Sequence, residues 1–353
     1  MRSISDTIAR LSRAQSAGLA GIAPAGPSRL RALGDFGANP GALTGWSFVP
    51  DGAVAMPLVV VLHGCTQDAV SYDVGSGWSD LAERFGFALL FAEQTRSNNP
   101  NLCFNWFLPE DTRRDAGEAA SIRQMIAAMV DRFLIDPTRI FVTGLSAGGA
   151  MTSVMLATYP ELFRGGAIIA GLPYGAAATM PQALDRMRGV GHLNDLAYAT
   201  AVRTASSHRG PWPRVSVWHG DADPVVVPVN ADRIVGQWRA LHGADGPGDV
   251  EVSGKLRSRV WRAADGSALI EEHRVVGMGH GAPVGTQGAT ACGAAMPHML
   301  DVGISSTWQI AQGWGLLDGA ERPRAAATAA AAPAMPNVQT TIEAALRSAG
   351  LMR

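Results

Sequence analysis

The chain has 353 residues, of which 47% are hydrophobic and 17% charged, with a formal net charge of −1. That mix supports a sizeable globular core, and a near-neutral chain without a long basic run argues against nucleic acid or an anionic membrane as partner. Cysteines at 65, 103 and 292 exclude a disulfide framework while allowing one bridge. They form no C-x-x-C, and no histidine cluster has metal-ligand spacing, so nothing calls for a metal or an organic cofactor.

No apolar run reaches the roughly 18 residues of a membrane span. The first 28 residues carry arginines but no sustained apolar stretch, so the expectation from this segment alone is a cytoplasmic protein. Residues 1–35 read as an N-terminal arm, with Ile4, Ile8 and Leu11 at helical spacing before a Pro/Gly-rich stretch. Residues 36–320 read as the main domain. Leu43 to Val49 is an early strand closed by the turn signal Pro50-Asp51-Gly52.

Pro57 to Leu62, PLVVVL, suits a strand buried on both faces of a parallel sheet. It runs into His63-Gly64-Cys65-Thr66-Gln67. A glycine there lets backbone approach a substrate oxygen closely, and Cys65 is the first choice for an oxyanion-binding N–H, with Thr66 second. Trp78 to Phe85 reads as a helix and Phe87 to Phe91 as the next strand. The loop from Ala92 to Asp111 is long enough to be functional. Its Phe104, Trp106 and Phe107 either line a substrate cleft or anchor the loop in the core. Thr66, Phe104 and Trp106 are the candidate substrate contacts. A Cys65–Cys103 bridge would tie the two loops together; a reduced pair is the alternative in a cytosolic protein.

Asp115 to Leu134 carries Ile122, Met125, Ile126, Met129, Val130 and Phe133 on one helical stripe, with Asp136-Pro137 as its stop. Arg139 to Thr143 is a short buried strand. Gly144-Leu145-Ser146-Ala147-Gly148 then fits G-x-S-x-G, and Gly149 to Thr158 reads as a helix. A chain with 41 glycines produces the bare pattern by chance. Strand, tight turn and helix around it make Ser146 a nucleophile elbow, with the free N–H groups of the helix start facing the serine.

Gly166 to Ala170 is another strand, and residues 172–213 break the rhythm as a small helical cap insertion. Arg214 to Trp218 resumes the sheet and leads into His219-Gly220-Asp221-Ala222-Asp223-Pro224. Asp223 is the better candidate for the acid that orients a catalytic histidine, and Asp221 the better turn cap. Asn230 to Leu241 reads as a helix. Lys255 to Ala263 and Leu269 to Val276 form a hairpin around Asp265-Gly266, and the second strand ends at Gly277-Met278-Gly279-His280-Gly281. His280, between glycines just after a strand, is the candidate base. His63 precedes the elbow and reads as structural, and His219 as holding its own loop. His192, His208, His242, His273 and His298 have no motif around them. The order Ser146, Asp223, His280 is that of α/β-hydrolases. Ser305 to Trp314 is a further helix, 321–336 an Ala/Pro linker, and 337–353 a terminal helix that docks on the domain or binds a partner.

Five segments together, LHGCTQ (62–67), CFNWF (103–107), GLSAGGAM (144–151), WHGDADPVV (218–226) and GMGHG (277–281), resemble the poly(3-hydroxybutyrate) depolymerase-like esterase family, which includes feruloyl and acetylxylan esterases. The resemblance implies an α/β-hydrolase fold with a mostly parallel sheet. It also implies ester hydrolysis by Ser146 as nucleophile, His280 as base and Asp223 as orienting acid, without a cofactor. It further implies an oxyanion hole from the Cys65 and Ala147 amides, a Cys65–Cys103 bridge, and an extracellular location in place of the cytoplasmic one. The implied substrate is a hydroxyalkanoate oligomer or polymer; aromatic or acetyl esters of plant polysaccharide are the alternative, and a non-catalytic binding protein on the same scaffold is the reading from another class.

Overall fold

The computed structural model describes residues 28–52, 55–318 and 321. The N-terminal helix around Ile4 to Leu11, the Ala/Pro linker past Glu321 and the C-terminal helix lie outside the described residues. In chain order the strands are β1 (Arg31–Ala32), β2 (Thr44–Phe48), β3 (Met56–Leu62), β4 (Ala88–Glu93), β5 (Ile135–Leu145), β6 (Gly165–Ile169), β7 (Arg214–Gly220), β8 (Asp249–Ser253), β9 (Leu256–Arg262), β10 (Ala268–Val275), β11 (Ala282–Val284) and β12 (Met299–Asp301). The helices are α1 (Ala69–Ser76), α2 (Trp78–Phe85), α3 (Pro109–Thr112), α4 (Gly117–Arg132), α5 (Ala147–Thr158), α6 (Met180–Met187), α7 (Asp195–Ala205), α8 (Val229–His242) and α9 (Ser306–Gly313).

Strands β1 to β10 form one sheet in the order β1-β2-β4-β3-β5-β6-β7-β10-β9-β8. The middle, from β4 to β10, is parallel; both flanks are antiparallel. β3 carries β4 on one side and β5 on the other, so the winding direction reverses there. A crevice opens at the carboxyl ends of strands flanking such a reversal. The segments after β3 and β5 are the oxyanion-loop candidate and the serine elbow.

Alternation along β3 explains the two-sided core. Leu58, Val60 and Leu62 face one way, with Ile122, Met125 and Met129 of α4 and Trp238 of α8. Val59 and Val61 face the other, with Tyr72 of α1, Trp78 of α2 and Trp314. Such runs of β-branched residues stay in the sheet because helices cover both faces.

Several elements depart from the sequence reading. β1 lies inside the segment read as an arm, and pairs antiparallel with β2 through Arg31↔Ser47 and Ala32↔Trp46. Asp136-Pro137 does not end a helix but sits within β5. There the register against β3 jumps from Met56↔Ile135 to Leu58↔Ile140, an irregularity that tolerates a proline because no ladder N–H is needed. α1, AVSYDVGS, has poor helix formers and was not expected; a capping box starts it, with Asp68 accepting from Ser71 N at 2.7 Å. β8 is exposed along its whole length and pairs only with β9. Residues 172–213 contain α6 and α7.

β10 lies antiparallel to β9 and parallel to β7, down to Val275↔Gly220. The loops leaving β7 and β10 therefore emerge side by side. A Cβ on Gly220 would stand 2.2 Å from the carbonyl oxygen of Met278, so only glycine allows this approach.

Phe141 of β5 stacks on Trp314 at 4.7 Å and is fully buried. Phe141→Ala is expected to lower the unfolding free energy by about 3–5 kcal/mol, read from the urea midpoint.

Candidate active site

Ser146 sits between β5 and α5 with φ of +57° and ψ of −115°. A non-glycine residue holds such angles only where its surroundings over-determine them. Here Ser146 N donates to Ile169 O of the neighbouring strand at 2.9 Å. The chain on either side is pressed against other backbone. A Cβ on Gly144 would meet Gly148 O at 2.4 Å, and one on Gly148 would meet Leu62 O at 2.2 Å.

The structure brings the three residues of the sequence reading together from distant parts of the chain. His280 Nε2 lies 2.9 Å from Ser146 Oγ, and His280 Nδ1 lies 2.7 Å from Asp223 Oδ2. Asp223 Oδ1 also accepts from the amides of Val225 and Val226, at 2.8 and 3.0 Å. Burial acts to raise the Asp223 carboxyl, but its hydrogen bond to His280, the nearby His280 and His219 rings and the Val225 amide hold it below the usual carboxylate range. An ionised carboxylate only accepts, so Nδ1 of His280 carries the proton. In the neutral ring Nε2 is then the acceptor facing the serine hydroxyl.

Asp221 does something different. Its carboxylate accepts from Gly277 N at 2.6 Å, clamping the loop that carries His280. His219 is fully buried, with Nε2 bonded to Val226 O at 2.7 Å and 3.5 Å from Asp223 Oδ2. Burial lowers its pKa to about 4, so it backs the carboxylate as a neutral ring.

The backbone N–H of Ala147, next to the serine, and that of Cys65, in the loop after β3, belong to those with no hydrogen-bond partner among the described residues. The Ala147 amide is free because it opens α5. Thr66 N is committed to Asn101 O at 2.8 Å, which removes it as the alternative donor. His63 accounts for the aim of the Cys65 amide. Its Nδ1 donates to Gly64 O at 2.7 Å while its Nε2 accepts from Gln94 N at 3.1 Å. In a planar trans peptide the carbonyl and the next N–H point opposite ways, so holding Gly64 O toward His63 turns Cys65 N–H away from it. Burial drops the His63 pKa to about 4, consistent with a ring that donates through one nitrogen and accepts through the other.

The aromatic loop divides its roles. Phe104 is fully buried, 5.1 Å from the His63 ring, and belongs to the core, so it is not a substrate contact. Trp106 is half-buried and packs on the small apolar group of Ala150, Leu172 and Val226, together with Val225 and Met187. Ala150 is one turn beyond Ser146 and Val225 follows Asp223, so this wall flanks the site. Thr66 is exposed, with φ of +65°. Cys65 and Cys103 are bridged.

His298, which no motif singled out, has its ring 6.2 Å from that of His280. Glu118 was equally unmarked, since an acid in the first turn of a helix reads as an ordinary dipole partner. It is fully buried and organises the loop after β4.

Residues 44–261 match the family described as esterase PHB depolymerase. The chain belongs to this esterase family. The match takes in Ser146 and Asp223 and stops short of His280. Poly(3-hydroxyalkanoate) depolymerase C of Paucimonas lemoignei is 44% identical over 293 residues, covering 82% of this chain and 70% of that protein. Feruloyl esterase B of Neurospora crassa is 30% identical over 270 residues, covering 73% of this chain and 90% of that protein. Among solved structures, the acetyl xylan esterase from Aspergillus awamori superposes with a TM-score of 0.68 at 24% identity, covering 81% of this chain and 99% of that one. The fold is that of the α/β-hydrolases. Among the described residues no helix is long and apolar enough to cross a membrane.

The Cys65–Cys103 bridge closes a loop of 38 residues. Its loss in a Cys65→Ser/Cys103→Ser variant is expected to cost about 3–4 kcal/mol in unfolding free energy, measured by thermal denaturation.

Proposed function

We propose that this esterase hydrolyses carboxylic esters through an acyl-enzyme on Ser146, with 3-hydroxyalkanoate esters as its substrates. The observation that carries the reading is the 2.9 Å approach of His280 Nε2 to Ser146 Oγ beside two unpartnered amides. Ser146 Oγ attacks the ester carbonyl as its proton passes to His280 Nε2. The oxyanion is held by the Cys65 and Ala147 N–H groups, each lowering the barrier by about 3 kcal/mol. Asp223 holds the imidazolium in place. The tetrahedral species collapses, the C–O bond to the alcohol breaks, and His280 returns the proton to the leaving oxygen. Water then repeats the sequence on the acyl-enzyme, with His280 as base, and releases the acid and the free serine. A binding protein on this scaffold would have no use for a strained serine aligned on an imidazole.

The substrate class rests on the 44% identity to a poly(3-hydroxyalkanoate) depolymerase, against 30% to a feruloyl esterase. The apolar wall of Trp106, Leu172, Val225 and Met187 suits a short hydrocarbon acyl chain. The feruloyl or acetylxylan reading draws on the second relative, and an aromatic acyl group stacking on Trp106 would suit it. The bridge between Cys65 and Cys103 supports an oxidising, extracellular setting and gives no support to the cytoplasmic expectation.

Ser146→Ala is expected to lower kcat on p-nitrophenyl butyrate by about five to six orders of magnitude. Asp223→Asn should cost about four, because the amide would let the imidazole adopt the wrong tautomer. Undiminished turnover in either variant would remove the triad. Initial rates on hydroxybutyrate dimers should exceed those on methyl ferulate; the reverse order would favour the aromatic-ester reading.

A further inference from the structure

Glu118 is an acid with no place in the triad, yet it is fully buried and accepts four hydrogen bonds. Its Oε2 accepts from Asn105 N at 2.8 Å. Its Oε1 accepts from Asn105 Nδ2 at 2.8 Å, Gln94 Nε2 at 2.7 Å and Asn98 Nδ2 at 3.1 Å. An acid serving its own helix start would face the N–H groups of that helix. All of these donors come instead from the loop between β4 and α3, three on Oε1 and one on Oε2.

The partners of Glu118 lead to the oxyanion loop by separate routes. Gln94 Nε2 also donates to Cys103 O at 2.9 Å, and Cys103 is bonded to Cys65. Gln94 N donates to His63, which holds Gly64 O. Asn105 Oδ1 accepts from Asn99 Nδ2 at 2.9 Å, Asn99 Oδ1 accepts from Asn101 N at 3.0 Å, and Asn101 O receives Thr66 N at 2.8 Å. The residues on either side of the Cys65 N–H, and Cys65 itself, are thus each tied to a chain that ends on one carboxylate. We propose that Glu118 is a positioning residue for the oxyanion hole, fixing the Cys65 amide through Gln94, Asn105 and Asn99 without touching substrate. The inference rests on the serine-esterase reading above.

Burial, and after it the charge of Asp111, push the Glu118 carboxyl up to about 8 against the pull of its donors. The hydrogen bonds pull toward the anion and burial toward the acid, and in either form the two oxygens accept from the same loop N–H groups. The structure therefore keeps a costly buried acid where a neutral side chain of the same shape would meet the same N–H groups with an NH2. That cost is intelligible if the donors have to be held in one arrangement.

The test compares a p-nitrophenyl ester with its C=S counterpart on the full chain. An oxyanion hole shaped for oxygen accelerates the ester more than the thionoester, so the ratio of their kcat values reports the placement of the N–H donors. A general loosening of the protein lowers both rates together. Glu118→Gln keeps the side-chain volume and replaces one acceptor by a donor. The expected result is a fall of about tenfold or more in ester kcat, KM within about twofold of the wild type, and a narrowed ester-to-thionoester ratio. A ratio equal to that of the wild type overturns the proposal, even if both rates fall. Should Glu118→Gln fail to fold, Asn99→Ala, one link nearer the oxyanion loop on a partly exposed site, decides in the same way: a narrowed ratio supports the proposal and an unchanged one overturns it. A wild type inactive on both substrates, or a Ser146→Ala variant as active as the wild type, would overturn the esterase reading and this inference with it. An active wild type with an unchanged ratio in the variants would overturn the inference alone.

Discussion

The backbone of the Ser146 turn lies directly on the backbone at the end of β3, with no side chain between them. The space where Gly148 would carry a Cβ is already taken by the carbonyl oxygens of Leu62 and His63. This contact is what sets Ser146 beside the loop that follows β3. It also limits how the sheet is assembled, since β3 and β5 have to be neighbours for the turn to land there. One methyl group at Gly148 would push the elbow away from the oxyanion loop, and close-packed interiors have little slack to absorb such a shift.

Around that contact, each polar group in the site is set by another that substrate would never meet. Asp223 fixes the tautomer of His280, the Val225 and Val226 amides fix Asp223, and Asp221 fixes the loop that carries His280. His63 sets one peptide plane through its neighbour's carbonyl. These are buried or half-buried hydrogen bonds in a low-dielectric setting, where an unmade partner is expensive and a satisfied network is rigid. The result is a site whose polar groups are held in one arrangement before anything binds.

The parts that could be read from the chain are those with a local cause. PLVVVL announces a two-sided strand because only a covered parallel sheet accepts it, and Asp-Gly at 265–266 announces a hairpin because glycine takes the positive φ of +86° there. The serine turn needs small neighbours two residues away, so its glycines carry the signal. Other parts had no local cause to show. β11 and β12 are three residues each and pair across an intervening loop. Phe104 and Trp106 are two residues apart in one aromatic patch, yet one is core and the other wall, and only tertiary packing separates them. Glu118 and His298 meet their neighbours in the site from other segments of the chain, a relation that no spacing within a single segment expresses.

The Ser146–His280 pair is separated by 134 positions, and β6, β7 and the β9–β10 hairpin must all be in place before the imidazole reaches the hydroxyl. Contacts of such long range form late and slowly. A nascent chain that has already made the Ser146 turn, the loop after β3 and most of its core therefore still lacks the His280–Ser146 contact. On the proposed triad, ester turnover requires β10 to have joined the sheet beside β7, so its appearance during refolding reports that addition.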